Sequence, residues 1–213
     1  MRDAFQGFAG GDGHPCLGAR SVVRRDAYEL RLYDRLGTVS AAAALNADLA
    51  RFATTPRLDE LSSFVAVFAE PAATTEVRFS RLLWRQLQHM HDRDHHRNPW
   101  DPRVSADPED PLFSFSVGGN AYFVVGMHAG SSRWARRFAW PTLVFNPHEQ
   151  FTALRERNGY ERMRALIRGR DVDLQGTVNP TLRDHGSESE ARQYAGAELG
   201  DDWRCPLHVH DRP

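Results

Sequence analysis

The chain has 213 residues, 41% hydrophobic and 26% charged, the size and balance of one globular domain that can enclose a core and a ligand. A net charge of −1 gives no bulk attraction to nucleic acid or to an anionic membrane, and no apolar run approaches the roughly 20 residues that span a bilayer. Every one of the 27 cationic side chains is arginine, which excludes Schiff-base or lysine-nucleophile chemistry.

The N-terminal stretch lacks the apolar centre of a secretion signal, so the expected compartment is cytoplasmic and Cys16 and Cys205 are expected to be reduced. Ser21 to Leu36 carries apolar residues at mixed three-to-five spacing and is expected to be helical. Ser40 is a candidate cap for a second helix through Phe52. Ser63 to Glu70, β-branched and aromatic and bounded by Pro71, reads as a strand. Thr74 or Thr75 opens a helix on which Phe79, Leu83, Leu87 and Met90 recur every three or four residues. The charged, proline-rich segment from Asp92 to Pro111 predicts an irregular surface loop of the kind that borders a site. Gly118, Gly119 and Asn120 between two apolar runs, Leu112–Val117 and Ala121–Met127, predict a hairpin. A strand at Thr142–Phe145, a helix from Pro147 through Arg157, and another to about Gly169 complete the ordered part. Residues 171–213 are expected to be loop-rich but anchored by Tyr194 and Trp203. The resulting fold class is α+β, a small and mainly antiparallel sheet packed by helices in one domain spanning residues 1–213.

Candidate chemistry concentrates between Gly126 and Phe151. His148, after Asn146 and Pro147 at a helix entrance, has a pinned imidazole suited to a metal, or else a backbone carbonyl partner. His128, at the end of the second hairpin strand, reads as a second ligand, an acid–base group, or a half-buried structural histidine. Arg133, Arg136 and Arg137 form a cluster suited to carboxylates or to a solvated turn. Trp134, Phe138 and Trp140 interleave with them and suit either core packing or the cover of a flat ligand. His91 and His95 share a helix face only if that helix runs past Asp92, and Cys205, His208 and His210 make a three-ligand string without a fourth donor. Cys16 has chemical appeal as a thiolate ligand beside its commoner role as a buried thiol.

Several blocks occur in an order that resembles the YqcI/YcgG family: HPC at His14 to Cys16, LLWRQLQHMHDRD at Leu82 to Asp94, and FSFSVGGNAYFVVGMHAGSSRWARRF at Phe113 to Phe138. FNPHEQFTALR at Phe145 to Arg155, IRGRDVDLQGTVNPTLRDHG at Ile167 to Gly186, ARQYAG at Ala191 to Gly196 and WRCP at Trp203 to Pro206 continue it. The resemblance implies haem b (iron protoporphyrin IX) and N-hydroxylation of a guanidine-bearing small molecule, arginine or a derivative, in natural-product biosynthesis. It implies His148 as the iron ligand with His128 or Cys16 as the other donors to consider, Arg133, Arg136 and Arg137 as propionate partners, and Gln175, Asn179 and Asp184 at the substrate. His128 and Asp184 are then the expected proton-handling and guanidinium-pairing groups. Without a flavin or nicotinamide fingerprint, electrons are expected from an external donor, or the oxidant is peroxide. A haem carrier or sensor ligated by His148 and His128, and a non-haem metal enzyme built on His91 and His95, are the expected alternatives.

Overall fold

The computed structural model describes residues 1–55, 61–156, 159–179 and 186–210. Its sheet has five strands, β1 (Tyr28–Arg35), β2 (Ser63–Glu70), β3 (Phe115–Val117), β4 (Asn120–Met127) and β5 (Thr142–Pro147), in the order β1-β2-β5-β4-β3. Only β1 and β2 run parallel, joined by the crossover helix α3 (Val39–Thr54), which a parallel pair requires. All other pairings are antiparallel, so the α+β class and the mainly antiparallel sheet are as expected. Gly118 and Gly119 form the tight turn between β3 and β4 with φ of 62° and 72°, a backbone that glycine adopts without strain.

Alternation along the central strands divides the interior. Phe64, Ala66 and Phe68 of β2, Tyr122 and Val124 of β4, and Leu143 and Phe145 of β5 face a core completed by α3 and by α4 (Glu76–Asp94) through Leu45, Leu49, Phe52, Phe79, Leu83 and Leu87. Val65, Val67, Met127 and Val144 point to the opposite face. There they meet Phe5 and Ala9 of α1 (Arg2–Ala9) and Val22 and Val23 of α2 (Leu17–Arg24). On the C-terminal side α5 (His148–Glu156), α6 (Gly159–Gln175) and the single turn α7 (Ala191–Tyr194) follow. Among the described residues no helix is long and apolar enough to cross a membrane.

Several boundaries differ from expectation: α6 runs to Gln175 and not to about Gly169, the first hairpin strand covers only Phe115–Val117 of Leu112–Val117, and three further differences have local causes. Ser21–Leu36 is not one helix: α2 ends at Arg24, Asp26 takes a left-handed φ of 52°, and Tyr28–Arg35 pairs with β2. Edge pairing outcompetes the mixed helical spacing there, because half-exposed polar positions suit the outside of a sheet as well as a helix. The cap of α3 is Thr38, whose Oγ1 accepts from Ala41 N at 3.3 Å, and not Ser40. Helix α4 runs through Asp94 and so takes in the first three residues of the segment expected to be loop. Asp94 is retained because its carboxylate accepts from Gly118 N at 2.8 Å and from Asn98 Nδ2 at 2.8 Å, tying the helix end to the hairpin turn.

The segment from Trp203 to His210 lies along α4. Trp203 packs on Trp84, Leu207 is buried, and Gln88 both accepts from His208 N at 2.8 Å and donates to His208 O at 3.0 Å. His91 Nε2 accepts from His210 N at 2.9 Å, which requires His91 to be neutral. Burial first, and then the neighbouring His95 and His210 rings, bring the His91 pKa down from 6.5 to about 4, with Asp92 working in the opposite direction. Between those two values the unfolded chain takes up a proton that the folded chain refuses, so stability falls as pH drops from 6.5 to about 4. The expected loss is on the order of 2 kcal/mol. Denaturant titration across that range should show it in the wild type and a flatter dependence in His91→Gln, and an identical slope in both would remove His91 as the responsible group.

Candidate functional site

A half-open cavity of about 310 Å3 lies on the second face of the sheet, at the lower end of the roughly 300–1,000 Å3 seen for ligand pockets. Its floor is a cross-strand row in which Val65 pairs with Val144 and Val144 with Val125. Phe123 and Met127 extend that floor along β4. Opposite stand Val22 of α2 and Met163 and Ile167 of α6, so both broad walls are apolar. At the rim Ser63 Oγ donates to Asn146 Oδ1 at 2.7 Å, and Asn146 Nδ2 donates to Phe123 O at 3.1 Å, which fixes the end of β5 just before His148.

Three imidazole or thiol donors line this space: His148, the first residue of α5, with His14 and Cys16 ahead of α2. His14 donates through Nε2 to Ala135 O at 3.3 Å and meets the Phe8 ring edge-on. Burial lowers its pKa, which fits a neutral ring bracing the turn. Cys16 is the N-cap of α2, and its Sγ accepts from Ala19 N at 3.4 Å. Burial pushes the thiol up, while the amide hydrogens of Ala19 and Gly18 and the Arg136 charge pull it the other way. Any cation or positive dipole entering the cavity would shift this balance toward thiolate.

The arginine cluster divides three ways. Arg136 lines the cavity, is 7% exposed, and donates from Nη1 to Tyr194 O at 3.0 Å and Gly126 O at 3.4 Å; burial brings its pKa down to about 10. Room for it comes from Gly196, where a Cβ would stand 2.5 Å from Arg136 Cδ. Gly126 is required for the packing beneath, since a Cβ there would lie 2.7 Å from Phe79 and 2.8 Å from Leu83. Arg133 instead forms a buried pair with Asp171 at 2.7 Å and donates to Thr177 Oγ1 at 3.0 Å. Arg137 is exposed and donates to Ser131 O, outside the cavity lining.

The other expected site residues are not all brought together. His128 is 1% exposed and stacked on Phe79 at 4.3 Å, with neither ring nitrogen hydrogen-bonded among the described residues. It does not line the cavity, so it is not paired with His148. Burial lowers its pKa and keeps it neutral in that apolar setting. Asn179 lines the cavity, its N–H bonded to Asp171 Oδ2 at 2.5 Å. Gln175 instead bridges to Ser132 O and Trp134 N at the turn Trp134–Arg136, and Asp184 lies outside the described residues. Trp134 is exposed, whereas Phe138 and Trp140 pack with Phe5 and Phe8 in the second core; none of the three aromatics lines the cavity. From the long loop Asp92–Pro111 only Pro111 reaches it.

His91, His95 and His210 do cluster, with ring centroids 5.1–5.5 Å apart, yet among the described residues no three His, Cys, Asp or Glu side chains are arranged to hold a metal ion. The reason is local: His91 Nε2 is already the acceptor for the His210 amide. Residues that the sequence reading passed over are Arg164 and Arg168, and Glu188, Glu190 and Gln193 beyond them. The α6 residues had a signal in their spacing, because Met163, Arg164, Ile167, Arg168 and Asp171 occupy one helical face.

The Arg133–Asp171 pair anchors α6 beside the cavity, with side chains 8% and 5% exposed. Asp171→Asn should cost about 3 kcal/mol in chemical denaturation, since it strands a buried guanidinium. An Arg133→Met, Asp171→Leu double variant should recover most of that loss. A loss under about 1 kcal/mol in Asp171→Asn would mean that the pair does not hold the helix.

Comparison with known proteins matches the YqcI/YcgG family over residues 5–208. No curated protein and no solved structure matches the chain. The matched segment takes in every strand and the whole cavity lining, and the chain therefore belongs to the YqcI/YcgG family.

Proposed function

We propose that this protein is a haem-dependent N-hydroxylase acting on the guanidine group of arginine or of an arginine-derived small molecule, with haem b seated in the cavity between the sheet and α6. The observation that carries this reading is the pairing of two apolar walls with imidazole and thiol donors on one half-open cavity. These are the chemical types that serve as axial donors to haem iron. Arg136, Arg164 and Arg168 are the guanidinium groups on the lining and suit the two carboxylates of the macrocycle, in place of the expected Arg133 and Arg137.

When bound, haem would supply the one-electron and dioxygen chemistry that no side chain of this chain provides. The balanced reaction converts a guanidine N–H to N–OH with one atom of dioxygen and releases the other as water, using two electrons and two protons from an external donor. Peroxide would replace dioxygen, electrons and protons together. His148 would hold the metal from the start of α5, a position fixed by the Asn146 hydrogen bonds at the end of β5. Val65, Val125, Val144 and Ile167 would exclude water from the reacting face. Cys16 would be the alternative donor in place of His148, favoured by its helix-capping amides and by Arg136 if the thiolate forms on binding.

Absorption spectra of purified protein loaded with haemin separate these possibilities. The wild type should show a Soret band and His148→Ala should lose most of it, with Cys16→Ala retaining it. The reverse pattern, together with a red-shifted ferrous carbonyl band in the wild type, assigns Cys16 as the ligand instead. A folded wild type that binds no haem would sink the proposal. A form saturated on both axial sides and inert to oxygen would favour a haem carrier.

A further inference from the structure

We infer that the open edge of β1 is a self-association surface, on which a second copy of this chain adds its own β1 antiparallel about a two-fold axis at Leu32, joining the two sheets into one. The two edges of the sheet are built differently. β3 is short, its three residues are buried, and it is tied in from outside: Phe115 N donates to the Tyr194 hydroxyl at 3.0 Å, and Ser116 Oγ accepts from Asp101 N at 2.9 Å. β1 is eight residues long, contains no proline and pairs with β2 alone. Among the described residues no other strand, turn or side chain bonds the backbone of Glu29–Asp34, so its outward N–H and C=O groups stand open. Such a row is the surface on which another strand can be added.

The side chains of β1 select a second copy as the occupant and fix its register. Tyr28 and Leu30 turn toward the second core, and Leu32, next on that face, is 60% exposed in the middle of the strand. On the opposite face Glu29, Arg31 and Arg35 accompany the buried Tyr33. Antiparallel pairing about Leu32 sets that leucine against its own copy and sets Glu29 against Arg35 of the second copy, twice over by symmetry. Both charges can respond. Arg35 is held only loosely by Glu70 at 3.9 Å, with side chains 57% and 48% exposed, and Glu29 binds Arg31 through Oε1 alone. Moving the axis to Arg31 would oppose that arginine to itself, and moving it to Tyr33 would oppose Arg31 to Arg35. An axis at Leu30 matches Glu29 with Arg31 but pairs only Tyr28–Leu32. A two-fold axis normal to the sheet also leaves both cavities on one face of the joined sheet, the face that carries Leu32.

Sedimentation velocity over a concentration series tests this on the purified wild type, on Glu29→Arg, on Arg35→Glu and on the variant carrying both exchanges. The wild type should be a dimer. Each single exchange places like charges opposite each other at two symmetric positions and should weaken the dimer by at least about tenfold. The doubly exchanged chain again opposes unlike charges and should return to within a few-fold of the wild type. Neither side chain is buried, so circular dichroism should be unchanged in all four proteins. A monomeric wild type would overturn the inference. So would a dimer that Arg35→Glu leaves intact, the result expected from an axis at Leu30 or from another surface, or a double variant as weak as the single ones.

Discussion

Side chains on a strand alternate between faces, and in β2, β5 and β4 that alternation does two jobs at once. Phe64, Phe145 and Val124 form a row on one side, closed against α3 and α4. Val65, Val144 and Val125 form the matching row on the other side, which the helices cover without filling. A slip of one residue in any of these pairings would put phenylalanine rings into the cavity and valines into the core. The binding space therefore depends on strand register before it depends on any polar residue.

The polar groups around this floor are arranged by burial. Arg133 and Asp171 satisfy each other away from water and set α6 beside the sheet. Arg136 takes backbone carbonyl partners and keeps its charge next to Cys16, a combination that leaves an electropositive niche at the end of α2. Tyr194 joins two regions, since its carbonyl accepts from Arg136 and its hydroxyl reaches Glu190. Burial and the Glu190 charge both raise the pKa of that phenol, which keeps it a donor.

Opposite the cavity, α4 is held by the strap Trp203–His210 and by Asp94 at the hairpin turn. Histidines that look like a metal cluster in the linear chain serve here as packing and hydrogen-bond partners. His91 must stay neutral to accept from the strap, and His128 sits dry against Phe79. Both show that an imidazole in a suggestive string takes its role from which nitrogen its surroundings occupy.

Elements with strong local signals could be read from the chain alone: the β-branched run of β2, the Gly118–Gly119 turn, the period of α4 behind Thr75, and the entry of His148 into a helix. These depend on short-range sterics and periodicity, which travel with the residues themselves. The blocks shared with the YqcI/YcgG family were likewise visible in order along the sequence. Only the tertiary structure decided that Tyr28–Arg35 is an edge strand, that Arg136 and not Arg133 or Arg137 faces the cavity, that His128 is turned away from it, and that Cys16 and Glu190 are brought to its wall. Each of those outcomes rests on a partner many positions away, and which side of a buried surface a charged or ring side chain takes is settled by that partner and by the water excluded with it.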